Sequence, residues 1–263
     1  MKDLLRLLPG ALAAALVALA PAVATADYRV VSPRSVDQGE LEIETNGSAA
    51  FDRKGEKSGA QSHTIEIGTG LTSWWHFEVE LGFNKDPGPG QPMLADVVVL
   101  ENMFEITEPG EAFVDLGFYV EYGQSITRGR YAAPNQVTFG PVIAKDIGPT
   151  TQTINLFFTR ELGPGQTTQG LDFSYAWQNR WNVWQPLSPA IEVYGDTGVL
   201  GSVPRLTKQQ LLAGPVAVGA MRLSDLGLGT AGKVKYELGW LFGMTPESPQ
   251  GALRWRLELE LPF

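Results

Sequence analysis

The sequence has no cysteine and only two histidines. Without cysteine, no disulfide bond can hold the fold together, so its stability must come from packing and backbone pairing. With so few histidines, few good ligands for a transition metal remain. After the first 26 residues no apolar run is long enough for a transmembrane helix, which needs about 20 residues.

Basic residues are also in short supply. The chain has 20 lysines and arginines against 29 aspartates and glutamates, which gives a net charge of −9. Binding to nucleic acid and adsorption to anionic lipid both depend on an excess of positive charge. The sequence therefore predicts no nucleic-acid partner.

The first 26 residues have the three parts of a secretory signal peptide. A basic start, Met1–Arg6, precedes an alanine- and leucine-rich run, Ala11–Ala20, and a small-x-small site at Ala24–Ala26. An uncleaved membrane anchor is the alternative, but two prolines and a glycine interrupt the apolar run. We predict a signal peptide over residues 1–26 and a single exported domain over residues 27–263.

Alternation of apolar and polar residues, over segments of about ten residues, is the dominant pattern of this domain. In Trp75–Asn84 the odd positions are large and apolar, and the even positions are His, Glu, Glu, Gly and Asn. Successive side chains of a strand point to opposite faces, so this segment has one apolar and one charged face. The same pattern predicts twelve strands, near residues 38–46, 62–70, 74–84, 95–106, 112–122, 137–146, 152–161, 169–179, 189–196, 212–222, 233–243 and 252–263.

The last of these strands separates a membrane barrel from a soluble periplasmic β-sandwich, which would alternate in the same way. Its apolar face ends on Phe263, the last residue of the chain. It resembles the final strand of outer-membrane barrels in general, whose C-terminal aromatic residue is read by the barrel-assembly machinery. The resemblance implies an all-β fold, a transmembrane antiparallel up-and-down barrel of about twelve strands in outer-membrane lipid, with an assembly signal formed by Trp255, Leu257, Leu259, Leu261 and Phe263.

A second resemblance covers most of the exported chain. The segments Asp27–Val30, Glu101–Phe104, Asp115–Tyr119, Lys235–Gly243 and Arg254–Glu258 are similar to those of a group of alphaproteobacterial exported proteins generally labelled hypothetical. This resemblance supports the barrel. It implies no activity, because no substrate or catalytic residue is assigned to that group.

The connections fall into two classes, as they do in outer-membrane barrels. Those after the first, third, fifth, ninth and eleventh strands are mostly long and polar, and those after the second, fourth and sixth are brief. The connection after the seventh strand is shorter than this rule expects, and the one after the eighth is longer. Three strands are less regular in sequence, because Pro141, Pro189 and Pro215 each remove a backbone donor.

If the apolar face meets lipid, the charged face lines the lumen. Closure sets the last strand beside the first, so basic residues of strands eleven and twelve should adjoin the row of glutamates in strand one. The lumen would then have an acidic wall that meets a basic one. The predicted pore-lining residues are Glu40, Glu42, Glu44, Glu66, His76, Glu78, Glu80, Asp115, Glu121, Lys233, Lys235, Arg254 and Arg256.

Two functions fit such a barrel. The first is a passive channel or transporter for small polar or charged solutes, without a cofactor, whose lumen carries a transverse electric field. The second is a closed barrel with a structural or surface-interaction role, in which paired charges plug the lumen and the long loops 47–61 and 197–211 make the contacts.

Metal binding and catalysis are less favoured by the sequence. Pairing across a turn near residues 71–73 should place Glu66 opposite His76 or Glu78, and should send His63 to the other face. Neither histidine is followed by a serine at the spacing of the outer-membrane phospholipase, and the paired acidic motifs of omptin-type proteases are absent. We predict neither a catalytic residue nor a metal site.

Overall fold

The computed structural model describes residues 28–34, 38–53, 57–228 and 231–263. The predicted signal peptide lies outside these residues. Within them, no helix is both long and apolar enough to cross a membrane. Three single turns of 3₁₀ helix occur in the connections, at Gly129–Tyr131, Leu206–Lys208 and Leu223–Leu226.

The strands of the described residues form a single closed sheet of twelve antiparallel strands. Each strand pairs with its neighbours in sequence, and β1 pairs with β12 to close the barrel. The predicted architecture is confirmed. The strands are β1 (Glu40–Phe51), β2 (Gln61–Thr72), β3 (Trp75–Lys85), β4 (Leu94–Glu105), β5 (Asp115–Ser125), β6 (Asn135–Ile147), β7 (Thr150–Leu162), β8 (Asp172–Trp181), β9 (Ser188–Val199), β10 (Gln210–Arg222), β11 (Lys233–Gly243) and β12 (Gly251–Pro262).

Some strands begin or end at residues other than the predicted ones. β1 runs on to Phe51, and β8 begins only at Asp172. The connection after β7 (163–171) is therefore longer than the one after β8 (182–187), and the two predicted exceptions disappear. The connection after β4 (106–114) was predicted to be brief, but it is as long as those at the opposite end of the barrel. We call the end of the barrel that carries 52–60, 86–93, 126–134, 163–171, 200–209 and 244–250 the loop end. The turn end carries 73–74, 106–114, 148–149, 182–187 and 223–232.

Large apolar side chains cover the outside of the barrel. Ile65, Ile67 and Leu257 are about half exposed, at 52%, 55% and 49%. Aromatic rings gather near both ends of this surface. At the turn end Trp74 lies 6.2 Å from Phe104, and at the loop end the rings of Phe51 and Trp240 are 5.3 Å apart. An apolar band between two aromatic girdles is typical of a barrel surrounded by lipid.

Gly-Pro pairs explain how strands with an internal proline stay in the sheet. In β10 the ladder to β11 has no pair at Gly214 or Pro215 and resumes in the same register at Val216. A Cβ added to Gly214 would overlap the backbone carbonyl oxygen of Trp240. The glycine therefore lets the neighbouring strand approach where the proline donates no hydrogen bond. Gly140 and Pro141 repeat this arrangement between β6 and β7.

This close approach gives a test of the fold. The substitution Gly214→Ala should lower the unfolding temperature of the barrel, because the new methyl group meets backbone that cannot rotate away. Samples heated in steps and run on a detergent gel without boiling measure this temperature. Gly123→Ala is the matched control, since its nearest atom is a side-chain methyl of Val97 at 3.2 Å. Equal unfolding temperatures for the two variants would contradict the close strand contact.

Candidate functional site

The predicted pore-lining residues all belong to the inward-facing rows of their strands. Most are buried: Glu42, Glu44, Glu66, His76, Glu78, Glu80, Asp115 and Arg254. Glu40, Glu121, Lys233, Lys235 and Arg256 are partly buried and form ion pairs with other inward-facing groups. The residues of the predicted assembly signal lie on the outer face, where Phe263 is 81% exposed. Their role in assembly stays a prediction.

A feature that the sequence did not predict occupies the lumen. Residues 28–34, here called the N-terminal segment, run inside the barrel instead of in its wall. Near the turn end, Arg34 forms ion pairs with Asp115 and, at 3.1 Å, with Asp146. Farther in, the ring of Tyr28 packs 5.4 Å from that of Tyr194. The segment therefore extends from the turn end towards the loop end through the lumen.

An amide clamp holds the middle of this segment. The backbone N–H of Val31 donates to Oδ1 of Asn155, and Nδ2 of Asn155 donates to the carbonyl oxygen of Val31, both at 2.8 Å. Asn155 is fully buried. A single side chain of β7 thus satisfies both backbone groups of Val31 that the segment brings into the barrel.

Arg29 is surrounded by acidic groups of four adjacent strands, which we call the Arg29 cage: Glu66, Glu80, Glu101, Tyr119 and Glu121. Its guanidinium lies 2.6 Å from Glu101 and 3.4 Å from both Glu66 and Glu121. Glu80 is 3.8 Å away, and the Tyr119 hydroxyl also contacts the guanidinium. Tyr119 in turn donates to Glu101 at 2.8 Å. This geometry compensates several buried carboxylates with one cation.

The expected meeting of acidic and basic walls occurs where β11 and β12 join β1. Arg256 lies 2.5 Å from Glu44, and Lys233 lies 2.5 Å from Glu260. Lys235 is 2.9 Å from Glu258. Opposite charges on neighbouring strands hold these groups in place, as cross-strand pairs do in sheets.

Arg254 departs from this arrangement. It contacts both carboxylate oxygens of Glu192 at 2.7 Å and also pairs with Glu237. Glu192 accepts further hydrogen bonds from Gln178 and Tyr194, both at 2.7 Å. The arginine therefore turns towards β9 and β11 and away from the glutamates of β1. Sequence reasoning missed this because it did not identify Glu192 and Glu237 as lumenal partners.

Next to this ion pair the lumen is filled by apolar side chains. We call this group the loop-end cluster: Tyr28, Val30, Ala176, Tyr194, Leu212, Leu241 and Ala252. Leu241 and Ala252 have no exposed surface. An inward-facing side chain without exposed surface has no open lumen in front of it. The N-terminal segment, by adding Tyr28 and Val30, therefore closes this part of the barrel.

Between the N-terminal segment and the basic wall the lumen contains a cavity of about 530 Å³. Both charge signs line it, including Arg29, His76, Glu78, Lys235 and Arg256. This volume lies within the range of about 300–1,000 Å³ that small-molecule sites occupy.

The β2–β3 register corrects one prediction. Glu66 lies opposite Glu80, whereas His76 lies opposite Gly70. The expected partners of Glu66 were His76 or Glu78, but β2 extends to Thr72 and the turn is only residues 73–74, which shifts the pairing. His63 does face outward, with its ring 5.1 Å from that of Trp255, so the two histidines do not meet.

Among the residues that the structure describes, three groups of side chains are close enough to hold a cation. In each group, ligand atoms lie within 4.8 Å of one another: Glu42, His76 and Glu78; Glu42, Glu258 and Glu260; and Glu66, Glu80 and Glu101. Nearby basic side chains already balance the last two groups, through Lys233 and Lys235 in one and Arg29 in the other. The expectation that the protein binds no metal or cofactor stays a prediction.

Comparisons with known proteins concern the fold. No family model and no curated protein matches the chain. An outer membrane channel from Pseudomonas putida F1 is 13% identical, with a TM-score of 0.57 over 88% of this chain and 97% of that chain. OprD of Pseudomonas aeruginosa is 11% identical, with a TM-score of 0.39 over 86% and 67%. The first likeness establishes a shared barrel fold, and the second is too weak to support an argument.

The Arg29 cage includes functional candidates that the sequence reasoning did not select. Arg29, Glu101 and Tyr119 all lie in segments that carry the resemblance to exported alphaproteobacterial proteins. Glu101 and Tyr119 also lie at inward-facing positions of the alternating pattern in β4 and β5. That alternation was a usable signal for both. Nothing in the pattern of residues 28–34 indicated that the segment would enter the lumen.

The Arg254 ion pair gives a prediction on stability. Arg254→Met should destabilise the barrel strongly, by about 3–5 kcal/mol, because removing one partner leaves buried Glu192 uncompensated. Adding Glu192→Gln to this variant should restore part of the loss. Arg160→Met, on the exposed outer face, is the control. Urea unfolding followed on unboiled gels measures the difference, and equal stability of all three variants would contradict the pairing.

Proposed function

We propose that the protein is a passive outer-membrane channel for small solutes, with a preference for cations. The observation that carries the proposal is a charged lumen with a cavity inside a barrel whose exterior is apolar. The shared fold with an outer membrane channel supports it. In this proposal the turn end faces the periplasm, and outer-membrane lipid covers the apolar band.

The preference for cations follows from the balance of lumenal charge. Carboxylates outnumber basic side chains among the inward-facing groups, and low-dielectric walls strengthen the field that they produce. Rings of acidic side chains select cations in other channels. The acidic groups include Glu40, Glu42, Glu44, Glu66, Glu78, Glu80, Glu101, Asp115, Glu121, Glu192, Glu237, Glu258 and Glu260, and the basic ones include Arg29, Arg34, Arg180, Lys233, Lys235, Arg254 and Arg256.

The N-terminal segment is the gate in this proposal. It contributes Tyr28 and Val30 to the loop-end cluster, whose other members are side chains of the wall. The segment is attached through side-chain contacts and the clamp on Val31, and it makes no strand pair with the wall across residues 28–34. Its displacement would open the barrel without breaking the sheet.

A closed barrel without transport is the second candidate. The packing of the loop-end cluster favours it, because a barrel fixed in this state has no continuous path for a solute. Its contacts with a partner would then be made by loops such as 200–209. A barrel that is folded and silent in lipid bilayers under all conditions would support this candidate.

Ion selectivity tests the channel. Glu42 and Glu78 line the cavity, so replacing both with Gln should shift the reversal potential in a KCl gradient towards that of an unselective pore. Glu111→Gln, in an exposed turn, is the control and should leave the potential unchanged. An unchanged potential in the double variant would show that these side chains do not line the conducting path.

The gate has a separate test. Asn155→Ala removes both hydrogen bonds to Val31, so single-channel recordings should show a higher open probability than in the unmodified barrel. Gln152→Ala alters the outer face of the same strand and serves as control. If Asn155→Ala and Gln152→Ala have the same open probability, the clamp does not hold the gate.

A further inference from the structure

The Arg29 cage combines acidic side chains of the barrel wall with a guanidinium group that does not belong to the wall. All of its acidic members come from β2, β3, β4 and β5, whereas the guanidinium comes from the N-terminal segment. Within this barrel, the guanidinium is therefore placed as a bound cation would be. It is held by contacts of its side chain with the wall.

The carboxylates of the cage are close together and buried, so a cation between them stabilises their charged form. Carboxylate oxygens of Glu66, Glu80 and Glu101 lie within 4.8 Å of one another, and these side chains are 1%, 7% and 4% exposed. Like charges at this distance, cut off from water, are costly unless a positive charge lies between them. If Arg29 leaves with the gate, a second cation in its place would restore this compensation.

The geometry of the contacts selects the kind of cation. One terminal nitrogen of Arg29 lies near Glu66 and Glu80, and the other contacts Glu101, Glu121 and the hydroxyl of Tyr119. A planar guanidinium, with N–H donors spread over a rigid fork, can reach both sides at once. A compact ammonium group concentrates its donors at one nitrogen and cannot span the cage in this way.

A solute can reach this site from the cavity. Arg29, Glu66 and Glu101 all line the space of about 530 Å³ that also borders the basic wall. Within this cavity a guanidinium group can approach the acidic side chains of the cage. Any anionic group that it carries would find Lys235 and Arg256 across the same cavity.

We infer that the Arg29 cage is the binding site for solutes that carry a guanidinium group, and that Arg29 is a tethered occupant which such a solute displaces. This inference rests on the proposed channel and names its solute class. Displacement of Arg29 removes one of the contacts that hold the N-terminal segment in the lumen, beside the clamp on Val31 and the ion pairs of Arg34, so binding of the solute favours opening of the gate.

Binding of methylguanidinium to the detergent-purified barrel tests the inference. Arg29→Ala empties the cage and should bind methylguanidinium at least about 10-fold more tightly than the unmodified protein, in which the tethered guanidinium competes. Methylammonium at the same ionic strength should bind the variant more weakly. Arg205→Ala, which removes an exposed arginine of a loop, should bind as the unmodified protein does. Isothermal titration calorimetry measures all four affinities.

A second variant covers the case in which Arg29→Ala does not fold. Arg29→Lys keeps a positive charge in the cage but loses the planar fork, so it should also bind methylguanidinium more tightly than the unmodified protein. Adding Glu101→Gln to either variant should abolish this gain. Equal affinities with and without the Arg29 substitution, or no preference for methylguanidinium over methylammonium, would overturn the inference.

These outcomes separate the site from the channel. A barrel that conducts cations but shows no gain of binding in the Arg29 variants keeps the proposed function and loses the guanidinium site. A barrel that gains binding but never conducts keeps the site and loses the channel.

Discussion

Buried carboxylates must have cations beside them, and this requirement organises the whole lumen. Across β1 and β12 the sheet brings Glu42 opposite Glu260 and Glu44 opposite Glu258. Such pairs repel each other unless basic groups intervene. Lys233, Lys235 and Arg256 supply those groups from β11 and β12. Closure of the sheet therefore also balances the charge of its interior.

The basic side chains that balance the buried carboxylates come from two sources, the barrel wall and the N-terminal segment. Those of the wall, such as Arg254 beside Glu192, cannot leave without unfolding the barrel. Arg29 and Arg34 come from the N-terminal segment, so in the proposed gating they would leave while every strand pair stays intact. The same segment adds Tyr28 and Val30 to the loop-end cluster. Movement of one segment would thus change both the charge and the width of the lumen, which links the proposed gate to the proposed solute site.

The fold could be predicted from sequence because a barrel repeats one simple signal twelve times. Alternation placed each strand within a few residues and assigned the inward rows, and closure predicted that Arg256 would lie near Glu44. The register of β2 on β3 was missed because a two-residue turn and a bulge after Gly70 decide it. The N-terminal segment was missed for another reason. Its contacts join residues far apart in the chain, such as Val31 and Asn155, and no local pattern encodes them.

The central claim is that the N-terminal segment lies inside the lumen. Because the sequence contains no cysteine, introduced cysteine pairs can test this position directly. Tyr28→Cys and Tyr194→Cys, introduced together, place thiols where two rings now pack at 5.4 Å. A short bifunctional thiol reagent applied to the folded barrel in outer-membrane fractions should link them, which a boiled gel shows as a shifted band. A pair on neighbouring strands, Ala49→Cys with Leu253→Cys, reports that the reagent works. Linkage of the control pair alone would contradict the account, because the segment would then lie outside the lumen.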